Sequence, residues 1–96
     1  MLLTRVVTCF ALMTFPAVAQ TDEQVRAGAL IGPMMQEVAP GRGGEIFTGC
    51  ILAVATPDEL ATMAAAPAPS TVIGALLTAI LARPETMACA QAAIQG

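Results

Sequence analysis

Ser70-Thr71-Val72-Ile73-Gly74-Ala75-Leu76-Leu77-Thr78-Ala79-Ile80-Leu81-Ala82-Arg83-Pro84 is the stretch whose reading decides the fold class. Between Val72 and Ala82 only Gly74 and Thr78 interrupt the apolar side chains, and they stand four residues apart, on one side of a helix. A helix that is apolar nearly all round calls for other elements around it. Eleven residues make a rod of roughly 16 Å, about half the hydrocarbon thickness of a bilayer. The stretch therefore predicts the central helix of a small helical bundle and not a membrane span. Ser70 or Thr71 caps its start, Arg83 complements the dipole at its end, and Pro84 stops or bends it.

Working outward, the C-terminal piece Glu85 to Gln95 reads as a further helix with Met87, Cys89, Ala90 and Ile94 on its apolar side. On the N-terminal side, Pro67-Ala68-Pro69 is a stiff extended link. Before it, Thr56-Pro57-Asp58-Glu59 carries the strongest local signal in the chain. Thr56 is a helix cap, Pro57 takes the first helical position, and Glu59 is placed to reach back to the cap. The helix it opens runs from Pro57 to Ala65, with Leu60 and Met63 facing inward. Another helix is expected from Gly44 or Glu45 to Ala55, where Ile46, Phe47, Cys50, Ile51 and Val54 share a stripe.

Ala39 to Gly44 is a loop by its proline and glycines. Ahead of it, Thr21 and Gln24 form a capping-box pattern that opens a helix from Asp22 to Val38. Val25, Ala27, Leu30, Ile31, Met34, Met35 and Val38 give this helix one buried face, and Gly32-Pro33 is expected to kink or split it, with two pieces the favoured reading. No period-2 alternation bounded by turn residues appears, so no sheet is expected. The fold class is all-α, a small four- to five-helix bundle.

The first residues read as an export signal. Arg5 supplies the positive end, Val6 to Phe15 an apolar core, and Ala17-Val18-Ala19 a cleavage pattern of small residues. The stretch is too short for a permanent anchor, and Cys9 lies inside the apolar core, where it cannot be lipidated as a lipoprotein cysteine. The expected organisation is a cleaved signal peptide, 1–19, and one helical domain, 20–96, with a periplasmic or secreted destination. Cys50 and Cys89 then remain, and in an oxidising compartment they have one internal pairing.

Composition excludes several functions. Gln20 to Gly96 carries Arg26, Arg42 and Arg83 against seven carboxylates, a net charge of −4, so neither nucleic acid nor an anionic membrane surface is an expected partner. With no His or Lys in the chain, Ser and Thr lack the usual activating bases. A hydrolase built from carboxylates alone is the least favoured alternative. The pairs Asp22/Glu23 and Asp58/Glu59 stand in predicted first turns, where acids suit the dipole. Met34, Met35, Met63 and Met87 are read as core filling, not as copper ligands, so no metal or cofactor is expected. Gly41-Arg42-Gly43-Gly44 is a weak anion-binding candidate, since it precedes a helix but lacks the Gly-Lys-Ser/Thr ending and a preceding strand.

With 56% hydrophobic and 11% charged residues, some apolar surface is left for self-association or a protein partner. In its layout of leader, short helical chain and one bridge between distant cysteines, Cys50 and Cys89, the chain resembles the small acid-stress periplasmic chaperones. That resemblance implies partner binding and carries over no site residues. The expected role is a non-catalytic interaction module or accessory subunit of the cell envelope, with a membrane-active secreted protein as the alternative.

Overall fold

The computed structural model describes residues 21–95, which form five helices and, among those residues, no strand. In chain order these are α1 (Asp22–Val38), α2 (Arg42–Val54), α3 (Pro57–Ala65), α4 (Thr71–Leu81) and α5 (Pro84–Gln95). The export signal and cleavage pattern expected over residues 1–19 lie outside the described residues.

Both capping boxes form. The Gln24 and Glu59 amides donate to the Thr21 and Thr56 hydroxyls, and the two long side chains accept from the cap amides in return. Ser70 caps α4 by accepting from the Ile73 amide at 3.2 Å.

Helix α1 runs unbroken through Pro33, against the expected split. Pro33 is exposed, and so is Ala29, the residue whose carbonyl loses its usual donor. Water can serve that carbonyl, and among the described residues no buried side-chain nitrogen or oxygen lacks a hydrogen-bond partner. At the end of α1 the chain reverses within Ala39-Pro40-Gly41. Gly41 holds φ +75°, a conformation that favours glycine, and the Gln36 side chain clamps it. Its amide nitrogen donates to the Gly41 carbonyl at 2.9 Å, and its oxygen accepts from the Gly41 amide at 2.7 Å. Because Gly41 is the cap, α2 starts at Arg42, two to three residues before the start expected at Gly44 or Glu45.

Gly44 lies at the crossing of the two helices. A Cβ there would stand 2.5 Å from the Ala39 carbonyl oxygen and 2.6 Å from Gln36 Nε2. Farther along, a Cβ on Gly28 would meet Leu52 Cδ1 at 3.3 Å, so α1 and α2 pack closely over their length. Leu52 is buried although it falls outside the stripe read from the sequence. The reason is tertiary: both α1 and α5 pack on α2, and Leu52 lies against Gly28 of α1.

The core joins Ala27, Ile31 and Met35 of α1 to Ile51 and Leu52 of α2, Met63 of α3, and Ile73, Leu77 and Ile80 of α4. The centre of the bundle is thus the α1–α2 pair, and α4 is not the enclosed central rod. It packs against α2 and α5, buries Ile73, Leu77 and Ile80, half-buries Leu76 and Leu81, and leaves Val72 69% exposed. Its open side consists mainly of Thr71, Ala75, Thr78, Ala79 and Val72, small side chains whose exposure costs little apolar area.

Among the described residues no single helix is long and apolar enough to cross a membrane, and α4 and α5 are bent by 74° to one another. Pro84 makes that corner, and the buried Thr86 fastens it by donating its hydroxyl to the Ile80 carbonyl at 2.6 Å. The sulfurs of Cys50 and Cys89 stand at bonding distance, 2.09 Å, with their Cα atoms 5.7 Å apart, tying α2 to α5.

Candidate functional site

The heptad-like set Arg26, Ala29, Leu30, Pro33, Met34, Glu37 and Val38 forms a second face of α1, beside the one that carries Ala27, Ile31 and Met35 into the core. From sequence Val25, Leu30, Met34 and Val38 read as one buried face with Ala27, Ile31 and Met35, but Val25 is 56% exposed. In the structure they separate: Leu30 and Met34 are half-buried, and Val38 is 70% exposed. The cause is the position of α4. It leans on α2 and α5, so the flank of α1 facing it is left as an open trough.

Three hollows make up this trough. The first, about 470 Å³, lies between the Arg26–Pro33 part of α1 and the link Ala66-Pro67-Ala68-Pro69. The second, about 530 Å³, lies between Met34, Val38 and the α4 residues Gly74, Leu77, Thr78 and Leu81. It shares Pro33 and Pro69 with the first. The third, about 200 Å³, is lined entirely by Met35, Val38, Phe47, Leu81 and Met87, and shares Met35, Val38 and Leu81 with the second. The shared residues join the three end to end, with Met87 of α5 at the far limit.

Charge is sparse along it. Arg26 lines the first hollow and Glu37 the second, and no other charged residue lines any of the three. Among the described residues Arg26 has no acidic group within ion-pair distance. The Thr78 hydroxyl is already engaged, donating to the Gly74 carbonyl at 2.9 Å.

The residues singled out from the sequence are placed elsewhere or are otherwise engaged. Of the anion-binding candidate Gly41-Arg42-Gly43-Gly44, expected as a loop, only Gly41 lies outside α2; its amide is held by Gln36, and Arg42 donates to the Ala93 carbonyl near the end of α5 at 3.2 Å. Gly44 is packed beneath the turn. Of the methionines, Met63 is a core residue, Met35 is a core residue that also lines the trough, and Met34 and Met87 line the trough. Among the described residues no three His, Cys, Asp or Glu side chains cluster as a metal site. Glu37 stands as the lone carboxylate of its hollow, and Glu45 as that of a separate hollow between α1 and α2.

Glu59 and Arg83 form a contact that the sequence does not announce. Both guanidinium nitrogens reach the carboxylate, Nη1 to Oε1 at 2.8 Å and Nη2 to Oε2, joining the start of α3 to the α4–α5 corner. Hydrogen bonding from Arg83, then the bond from the Thr56 amide, holds the Glu59 carboxyl down at about 2. The unfolded carboxyl titrates near 4.5, so the pair stabilises the fold fully above that pH, and its contribution is lost as pH falls through about 2. Urea unfolding of the protein and of Glu59→Gln is expected to show a stability gap at pH 6 that closes between pH 4.5 and 2. A gap that does not change with pH would show that the ion pair contributes nothing.

Comparison with known protein families, with curated proteins and with solved structures finds no match to this chain.

Proposed function

We infer that this chain is a small exported, non-catalytic binding module whose trough along α1 receives an apolar chain or segment of another molecule. The supporting observation is the second face of α1. Ala29, Pro33 and Val38 are exposed, and Leu30 and Met34 pack against the core with one side while lining the trough with the other. A chain of this size has little apolar surface to spare, and a continuous unpartnered stripe of this kind is the usual mark of a binding surface. Methionines at 34, 35 and 87 suit such a role, because their unbranched side chains adapt to the shape of an occupant. The Cys50–Cys89 pair at bonding distance supports an oxidising destination, in keeping with the export signal read at the N-terminus.

An uncharged fluorescent reporter of apolar sites, Nile red, tests the reading directly. The oxidised full chain is expected to bind it, and Met34→Lys is expected to weaken that binding by at least about tenfold. An unchanged helical spectrum in the variant separates loss of the site from loss of the fold. Equal binding by Met34→Lys would overturn the assignment of the trough.

A further inference from the structure

We propose that Met87 is a site of reversible oxidation, where an oxidant of the peroxide class converts the thioether to a sulfoxide and draws the side chain out of the third hollow. The modification is independent of what the trough binds.

Composition concentrates oxidation chemistry on methionine. The chain has no Trp, Tyr or His. Cys50 and Cys89 stand at bonding distance, so neither offers a free thiol. A thiolate is the group such an oxidant ordinarily meets first. Among the described residues the thioethers of Met34, Met35, Met63 and Met87 take its place.

Burial then ranks these four. Met63 is fully buried, Met35 is 4% exposed, Met34 is half-buried, and Met87 is 43% exposed. Oxygen transfer requires the oxidant to reach the sulfur from solvent, so reactivity follows access. Local opening acts in the same direction. Met35 and Met63 belong to the core that joins α1 to α4, whereas Met87 stands on α5, which contributes no residue to it.

The third hollow converts the modification into a change of structure. Met87 lines it with Met35, Val38, Phe47 and Leu81, and none of these side chains carries a hydrogen-bond donor. A thioether suits such walls. A sulfoxide is polar, finds no partner for its oxygen there, and turns to water. Val38, Phe47 and Leu81 are thereby uncovered at the far end of the trough.

The step is a two-electron oxidation. The Met87 sulfur lone pair attacks one oxygen of hydrogen peroxide, the O–O bond breaks as the S–O bond forms, and the peroxide is reduced to water. A dithiol-dependent sulfoxide reductase reverses it: the oxygen leaves as water and the two thiols become a disulfide.

Timed exposure of the folded, disulfide-bonded full chain to hydrogen peroxide, followed by peptide mass mapping, tests the assignment. Met87 is expected to gain oxygen about tenfold faster than Met35 and Met63, and ahead of Met34, with the ranking erased in urea. NMR of the Met87 sulfoxide form is expected to show shifts at Val38, Phe47 and Leu81 but not at Ala27 or Met63. Those shifts are expected to revert on treatment with a sulfoxide reductase and to be absent from peroxide-treated Met87→Leu. Oxidation of Met34, Met35 or Met63 as fast as Met87 overturns the site. Unmoved signals at full Met87 oxidation, or the same shifts in Met87→Leu, overturn its coupling to the hollow. A sulfoxide that the reductase cannot remove from the folded chain overturns the reversibility.

Discussion

Reducing the bridge between Cys50 and Cys89 is expected to release α5 while α1 to α4 keep their packing. The core that joins the other four helices contains no residue of α5. That helix buries only Thr86 and Ala90 of its own, and its larger side chains, Met87 and Ile94, are 43% and 64% exposed. It is held by the sulfur bridge to α2, by the Thr86 hydroxyl on the Ile80 carbonyl, and by Arg42 on the Ala93 carbonyl. In the chain-entropy account a link between residues 39 apart is worth about 4 kcal/mol, a large part of the 5–15 kcal/mol typical of a folded domain. Hydrogen exchange on the reduced protein should therefore show the amides of residues 87–95 losing protection first, with those of Ile31, Ile51 and Leu77 still protected. Loss of protection in all helices together, or none in α5, would show that α5 is an integral part of the core.

Ile31→Ala is expected to be the most damaging truncation on α1, and Leu30→Ala, one residue away, a mild one. Ile31 is fully buried at the junction of helices α1, α2 and α3, and removing its outer carbons leaves a cavity, for a cost of about 2–5 kcal/mol. Leu30 is half-buried on the trough wall, where solvent fills the space its side chain leaves, and the expected cost is about 1 kcal/mol or less. Urea midpoints of the two variants measure the difference. Leu30→Ala should also weaken Nile red binding, which Ile31→Ala leaves unchanged for as long as the chain stays folded. Equal losses of stability would mean that α1 has one buried face and that the trough is closed in solution.

The elements themselves were legible because they are written in short-range chemistry. Thr21 with Gln24, Thr56 with Pro57 and Glu59, and Ser70 each mark a helix start within four residues, and the structure places caps at all three. The errors came where neighbours decide. Pro33 reads as a break because it removes a hydrogen bond, and whether that breaks a helix depends on whether the freed carbonyl is buried. Here it lies on an exposed flank, and α1 continues. Val72 to Ala82 reads as a central rod because of its apolar content, yet half of a helix made of Ala, Thr and Gly can face water at little cost. The Glu59–Arg83 pair joins residues 24 apart, and no local pattern relates them.

Sequence by itself determined that the described residues form helices without strands, where the capped helices begin, and that Cys50 and Cys89 are available to join two of them. Those properties depend on contacts within a few residues and on counting. Tertiary structure alone decided that α1 and α2 form the centre, that α4 stands away from α1, and that the apolar positions of α1 divide into a core face and a trough. Residues 30 and 31 are chemically near-identical neighbours, and a rotation of about 100° around one helix separates them. Which of the two meets another helix is set by where α3 and α4 come to rest, and that is a property of the packed whole.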